Sequence, residues 1–492
     1  MLRRMTVTGV MGTSIYIIDL LVKVVALGVV PKNRRPGSAM AWLLAIFLIP
    51  GVGLIGYLLL GQTRLDRRRH ERQRALNEEV TRYVAGLPRP PFPDSLSQVD
   101  ATTIELNERL GSLPATPGNQ VELIADYRGS IEAMTAAVDQ AEHYVHVQFY
   151  ITACDHMTEP FFDALDRATA RGVSVRLLLD HLGSRGIPVW RQLVKRLDAS
   201  AIDWHRLLPI DPLRGQIRRP DLRNHRKLLV VDGRVAFTGS QNLIEPGYDK
   251  PKNHRAGREW VELTARIEGP LVSALNVVFA SDWNTETGEL LRSELAVSSS
   301  VWVSSEPVGD VTGQIVPSGP GVDAENNLRA FTSLIYAAKD RISITSPYFV
   351  PDESLLYAVT TAARRGVAVE LFVSEGKDQF MVYHAQRSYY EALLEAGVRI
   401  YLYPKPAVLH SKHFSIDDEV AVLGSSNMDM RSFALNYEVS LMLFDGDPVA
   451  QLRKVEDGYR AISRELLLEE WLARPRVAAY VDNVLRLTAA LQ

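Results

Sequence analysis

Apolar residues fall into three regimes along the chain. Up to residue 62 they run almost unbroken: VTGVMGTSIYIIDLLVKVVALGVV and SAMAWLLAIFLIPGVGLIGYLLLG are each about as long as a helix that crosses a hydrocarbon core. This pattern predicts a two-span membrane hairpin over 1–62. Asp19 and Lys23 in the first stretch form an i,i+4 pair that partly neutralises itself or marks an interfacial segment. Pro50-Gly51 in the second permits a kinked span or a re-entrant hairpin. A cleaved signal peptide fits poorly, because a second apolar stretch follows directly.

Over 63–118 the pattern dissolves into a basic juxtamembrane segment and a linker, Pro-rich in LPRPPFPDS and GSLPATPGN. The third regime alternates helical periods with short apolar runs. SIEAMTAAVDQA, YVHVQFYI, FFDALDRATARG and VSVRLLLD read as helix, strand, helix, strand. The same order returns in NLRAFTSLIYAAKD, RISITSPYFV, ESLLYAVTTAARRG and VAVELFVS. The prediction is an α/β protein of two related lobes, 119–300 and 301–492, each a mixed sheet flanked by helices.

Each lobe ends its repeat with the same sentence. HRKLLVVDGRVAFTGSQN begins at His225 and HSKHFSIDDEVAVLGSSN at His410, both H-x-K-x4-D-x6-G-S-x-N. With LLVV as a strand and Asp232-Gly233 as a two-residue hairpin turn, His225 opposes Ser240 and Lys227 opposes Thr238. His225, Lys227, Ser240 and Asn242 then share one face, while Asp232 belongs to the turn. Asp417-Asp418 does the same for His410, Lys412, Ser425 and Asn427. The result is a patch of imidazole, ammonium, hydroxyl and amide, made twice.

Lys and Asn donate to anionic oxygens, and His attacks or moves protons near neutral pH, so a phosphodiester is the natural ligand. A metal centre is disfavoured, because protonated Lys is a poor ligand and no carboxylate shares the face. Each His needs a partner that fixes its tautomer, so each copy is expected to supply a carboxylate: Glu262 in the first, with Glu259 a weaker alternative, and Glu438 in the second. Tyr150 and Tyr348, in equivalent strands, are candidates to line the site.

Composition narrows the partners. A formal net charge of −3 gives no basic footprint for nucleic acid. The single Cys154 forms no internal disulfide and reads as a buried small hydrophobe. Six Arg lie between Arg64 and Arg74, and Arg3 and Arg4 precede the first span, against a basic connector PKNRRP. The bias puts both termini inside, with the lobes on the cytoplasmic face of the cell membrane.

The duplicated motif resembles that of the phospholipase D superfamily, and both copies meet it in full. Within it the chain is similar to bacterial cardiolipin synthases over nearly its whole length, as in RRPGSAMAWLLAIFLIPGVGLIGYLLLG, VELTARIEGPLVSALNVVFASDW, IVPSGP, SPYFVPD and NMDMRSFALNYEVS. The resemblance implies two lobes related by a pseudo-twofold axis, both motifs meeting at one site. It implies a catalytic set of His225, Lys227, Asp232, His410, Lys412 and Asp417, with Ser240, Asn242, Ser425 and Asn427 binding substrate. It further implies a phosphatidyl transfer between two phosphatidylglycerol molecules without a cofactor, through a covalent phosphatidyl-histidine on His225, with His410 as acid and base.

Overall fold

The computed structural model describes residues 2–32, 34, 36–61, 96–211, 219–291, 307–320, 325–444 and 446–489. The Arg64–Arg74 run and LPRPPFPD lie outside the described residues.

The N-terminal helices are a unit of their own. Helices run over Leu2–Val29, Pro36–Leu48 and Pro50–Gly56, followed by a short π-turn, Tyr57–Gly61. The predicted ion pair is present, with Lys23 Nζ 2.7 Å from Asp19 Oδ2. The second apolar stretch is interrupted at Ile49, whose backbone leaves the helical region (φ −132°, ψ 70°) ahead of Pro50, as expected for a residue preceding proline. The chain bends so sharply there that Gly53 returns to Ala45, where any Cβ would overlap the Ala45 carbonyl. No helix among the described residues is long and apolar enough to cross a membrane. The two-span membrane hairpin expected over 1–62 is not shown by these helices, although the break at Pro50 falls where the sequence permits a kink.

The second unit holds both lobes. In the first lobe the strands are β1 (Thr116–Ile124), β2 (Tyr144–Phe149), β3 (Ser174–Asp180), β4 (Asp203–Leu207), β5 (Leu228–Val231), β6 (Val235–Gly239), β7 (Trp260–Val261) and β8 (Thr264–Glu268). The second lobe has β9 (Val311–Ser318), β10 (Arg341–Thr345), β11 (Phe349–Val350), β12 (Ala368–Ser374), β13 (Arg399–Tyr403), β14 (Val408–Leu409), β15 (His413–Ile416), β16 (Val420–Gly424), β17 (Met428–Asp429), β18 (Glu438–Phe444) and β19 (Arg464–Leu466).

Fifteen of these strands form one sheet in the order β19-β13-β12-β10-β15-β16-β18-β9-β1-β8-β6-β5-β2-β3-β4. Read outward from the central β1–β9 pair, the two halves repeat (two antiparallel neighbours, the motif hairpin partner, then three parallel strands), and the second half adds β19 antiparallel to β13 at its edge. The parallel strands are joined by helices that bury apolar faces, such as Glu159–Ala170 with Phe161, Phe162, Leu165 and Ala168, and Glu353–Arg364 with Leu355, Val359 and Ala362. Each lobe has its own core, and a third cluster joins them, with Leu271, Leu275 and Ile315 beside Leu441 and Leu452.

The described part of the expected linker is ordered. Gln98–Arg109 is a helix started by a capping box, Ser97 with Asp100, and its Asn107 donates to Gln314 of β9 (2.8 Å). Cys154 is half-buried rather than enclosed, 3.4 Å from Arg196 Nη1.

Candidate active site

Each motif is a β-hairpin in the middle of its half-sheet, but the turn is one residue longer than expected. Val231 pairs with Val235 and Leu228 with Thr238; Ile416 pairs with Val420 and His413 with Leu423. The cause is Asp232 and Asp417, which adopt positive φ (51° and 49°) and begin three-residue turns. On that register Lys227 faces Gly239, not Thr238.

The two Asp carboxylates are occupied. Asp232 accepts from the backbone N–H groups of Glu142, His143 and Tyr144, each at 2.8 Å. Asp417 does the same with Lys339, Asp340 and Arg341, at 2.8–3.0 Å. Burial raises the Asp417 carboxyl, but these three donors outweigh it and hold it below the usual range. The expectation that Asp232 and Asp417 belong to the reacting set is revised: they tie the hairpin turn to the start of a neighbouring strand.

The motif glycines have a steric role. At Gly239 and Gly424 a Cβ would overlap the carbonyl oxygens of Leu263 and Val439, the residues just after Glu262 and Glu438. The absence of a side chain lets the carboxylate-bearing strand lie directly against the motif. Ser240 and Ser425 fasten that strand: Leu263 N donates to Ser240 Oγ at 3.0 Å and Val439 N to Ser425 Oγ at 2.9 Å.

Each copy supplies a carboxylate, and the two are exchanged between the lobes. His225 Nδ1 lies 3.0 Å from Glu438 Oε2 and 2.9 Å from the Ser425 carbonyl. His410 Nδ1 lies 2.6 Å from Glu262 Oε1. The backbone explains the crossing. His225 N donates to Tyr437 O, and His410 N to Val261 O, both at 2.8 Å, so each motif enters its hairpin against the segment preceding the other lobe's Glu. Glu259 is exposed and contributes only its carbonyl, to Val408 N (2.8 Å).

The patch is buried and its charges interact. His225 and His410 retain 9% and 7% exposure, and Lys227, Lys412, Glu262 and Glu438 are more enclosed still. Burial pushes His225 down to about 4, against the pull of Glu438 and with the push of Lys227 and Lys412. His410 is lowered for the same reason, Glu262 opposing and Lys412 and Lys227 reinforcing. Burial also lowers Lys227 to about 7, helped by Lys412, and Lys412 to about 8, against Glu262 and Glu438. Burial raises both glutamates, but the facing imidazoles and lysines outweigh it and keep them below the usual range. Glu438 and the Ser425 carbonyl can only accept, so neutral His225 carries its proton on Nδ1 and presents a lone pair on Nε2.

Other side chains complete the walls. Tyr150 meets His225 edge-on, ring centroids 4.9 Å apart, and Lys227 Nζ lies 5.4 Å from its ring centre. Tyr348 stands 6.4 Å from the His410 ring, its hydroxyl held by Asp378 and by Gln379 (2.8 Å). Asn242 is held at both ends, Nδ2 donating to Tyr248 Oη (2.8 Å) and Oδ1 accepting from Ile151 N (3.1 Å), which leaves Nδ2 a second N–H. The buried Asn427 Oδ1 has no hydrogen-bond partner among the described residues. Tyr248, which donates to Glu262 at 3.3 Å, and Asn436, which donates to Glu438 at 3.3 Å, were not foreseen. They sit in unequal loops after each motif, where no periodicity marks them. Among the described residues no group of three or more His, Cys, Asp or Glu is placed to hold a metal ion.

This architecture has known relatives. A family model described as cardiolipin synthase, PLD-like domain, matches residues 134–283 and 331–457, and one described as phospholipase D-nuclease N-terminal matches 20–62. Proteins named cardiolipin synthase A from Yersinia pseudotuberculosis serotype O:1b (strain IP 31758) and from Yersinia pestis are each 36% identical over 471 residues, 95% of this chain and 96% of theirs. The crystal structure of phosphatidylserine synthase from Haemophilus influenzae Rd KW20 aligns with a TM-score of 0.58 at 15% identity, over 79% of this chain and 99% of that one, a likeness of fold. With a domain model over more than half its length and relatives along nearly all of it, the chain belongs to the cardiolipin synthase family of the phospholipase D superfamily.

Proposed function

We propose that the protein is a phosphatidyltransferase that makes cardiolipin and glycerol from two molecules of phosphatidylglycerol. The observation that carries this reading is the pair of buried imidazoles, each with Nδ1 on a carboxylate of the opposite lobe and a lysine two residues on. The names borne by relatives along 95% of the chain point the same way.

His225 Nε2 attacks phosphorus, and the bond to the glycerol oxygen breaks as His410 delivers a proton to it. Splitting the displacement through a phosphatidyl-histidine replaces one difficult step by two easier ones. Neutral His410 gains its proton when the phosphodiester anion arrives, since a nearby negative charge favours the imidazolium. Lys227, Lys412 and Asn427 hold the nonbridging oxygens as charge builds in the transition state. Asn242 offers the second N–H of Nδ2 to the same oxygens, Ser240 acts through the strand it fastens, and Ser425 also donates to Glu438. His410 then takes the proton of a second phosphatidylglycerol hydroxyl, whose oxygen attacks phosphorus and frees His225. One phosphodiester is broken and one made, so no activated donor or cofactor is needed.

The two apolar stretches of residues 1–62 are proposed to anchor the chain in the cell membrane with the lobes on the cytoplasmic side. Support comes from their length, the basic flanks and the family match over 20–62.

The test is incubation of the pure full-length protein with phosphatidylglycerol bilayers in excess EDTA. Cardiolipin and glycerol should appear in equal amounts, and a His225→Ala protein should form neither. Phosphatidic acid as the sole lipid product would make the protein a hydrolase, and complete loss in EDTA restored by a divalent ion would remove the mechanism.

A further inference from the structure

The last described helix, Arg476–Arg486, buries one side through Asp482, a fully enclosed carboxylate. His384 Nδ1 and Arg474 Nη1 each approach it to 2.7 Å, and Arg387 Nε to 3.4 Å. The opposite side of the helix is apolar as well. Val477, Tyr480, Val484 and Leu487 are 74%, 70%, 42% and 84% exposed. Steps of three, four and three residues put them on one stripe. Beside the stripe the helix exposes Arg476, while Arg486 lies over the Tyr389 ring on the inner side (4.6 Å) and the single acid, Asp482, is inside and neutralised. Scattered apolar residues are normal on a surface, whereas a rimmed stripe of four large ones marks an interaction face.

This face connects to the reaction centre. Asp482 grips His384 on the helix Phe380–Arg387, whose first residues, Phe380 and Met381, are 54% and 43% exposed. Directly before that helix, Asp378 and Gln379 hold the hydroxyl of Tyr348, the wall of His410. The exposed Lys377 lies 5.3 Å from the Phe380 ring centre. From the site wall outward, the exposed side chains at this end are therefore apolar, with a lysine beside them.

We propose that the Phe380 end of this helix and the outer stripe of Arg476–Arg486 dock into the headgroup layer of an anionic bilayer, setting the mouth of the site at the lipid surface. The proposal rests on the lipid-transfer reading above. Large apolar side chains entering the acyl boundary beside cations that meet anionic headgroups is the chemistry of an interfacial helix. A second copy of this chain is a poorer occupant, since the same face would meet it with charges of the same sign.

The test uses the full chain with Cys154→Ala, carrying an environment-sensitive fluorophore at Val477→Cys or Leu487→Cys. The control is Tyr357→Cys, also exposed (65%) but on the helix Glu353–Arg364. In phosphatidylglycerol bilayers, lipids with a shallow nitroxide should quench positions 477 and 487 strongly and 357 little, and replacing phosphatidylglycerol by phosphatidylcholine should weaken that quenching. Equal quenching at all three, or cross-linking between copies through position 487 without quenching, would overturn the proposal. A protein with V477S, Y480S, V484S and L487S should lose at least about tenfold in turnover on vesicles but stay within about twofold of the parent in detergent-mixed micelles. Equal losses in both media would also overturn it. If the parent turns over no phosphatidylglycerol in either medium, the transfer reading fails, while the quenching still decides the docking.

Discussion

The two copies of the motif carry the same six letters and the same crossed carboxylate, yet their surroundings differ. In the first copy Lys227 Nζ turns back to the His225 carbonyl (2.5 Å), and among the described residues no hydrogen bond reaches His225 Nε2. In the second, Lys412 makes the same turn (2.6 Å) but also stands 3.1 Å from His410 Nδ1 and 3.3 Å from Nε2. The two motifs thus differ in their surroundings: Lys412 contacts the ring of its own histidine, and among the described residues no hydrogen bond joins Lys227 to the ring of His225.

Behind the histidines the contrast is sharper. The residue between His and Lys is Arg226 in the first copy and Ser411 in the second. Arg226 is buried, bound by both oxygens of Asp282 at 2.9 Å, and donates to the carbonyls of Glu438 (3.0 Å) and Ser318 (3.2 Å) in the other lobe. The Ser411 side chain meets Tyr459 Oη at 3.2 Å, and its backbone N donates to Val261 O of the other lobe at 2.9 Å. The first motif is held by a buried charge pair within its own lobe and by two carbonyls of the other, and the second has a neutral hydrogen bond in place of the charge pair.

The largest effect that can break this comparison is on the crossed carboxylates. Gln in place of Glu can present N–H to Nδ1, stabilise the other tautomer and remove the Nε2 lone pair, a change worth about 10³–10⁴ in turnover where an orienting acid has been neutralised in this way. With a phosphatidyl ester of an acidic phenol, whose leaving group needs no proton, Glu438→Gln should suppress the adduct on His225. Glu262→Gln should let the adduct form and accumulate. Mass analysis of the peptide containing NHRKLLVVDG separates the two, and the opposite pattern would mean that each carboxylate serves its own lobe.

The next effect is on stability. Asp282→Ala leaves a buried Arg226 without its counter-charge and should cost about 3–5 kcal/mol. Tyr459→Phe removes one neutral hydrogen bond and should cost about 1 kcal/mol. Thermal unfolding of the full-length protein in one detergent checks the ratio. Comparable losses would show that the lobes are held alike.

How far the sequence alone reaches can be judged from the same residues. The repeat and the alternation of helix and strand follow from period and spacing, which are local properties; the expected pairing of His225 with Ser240 does not stand, because the longer turn shifts the register by one. The crossing of Glu262 and Glu438 does not follow from spacing, because it depends on the backbone of one lobe entering beside the other at Tyr437 and Val261, a contact with no trace in either repeat. The extra turn residue escaped because Asp at positive φ is tolerated but not demanded. Tyr248 and Asn436 lie in loops that differ between the copies, so comparing the repeats could not reveal them. Gly239 and Gly424 were visible as letters, and only the neighbouring strand gives their reason.

The smallest effect is a displaced pH limb, and it addresses the two lysines. Both must be protonated to hold phosphate oxygens, so activity should fall as pH rises through their ionisations. Burial brings Lys227 to about 7 and Lys412 to about 8, so Lys227 should set the limb. A guanidinium stays charged throughout this range. Lys227→Arg should therefore move the alkaline limb up by about one pH unit, to that of Lys412, whatever the rate lost to the changed shape. Lys412→Arg should leave the limb near its original position, because the charge that depresses Lys227 is retained. Rate profiles between pH 6 and pH 10, normalised to their own maxima, make the comparison independent of absolute activity. A limb that moves with Lys412→Arg and not with Lys227→Arg would reverse the order of the two ammonium groups.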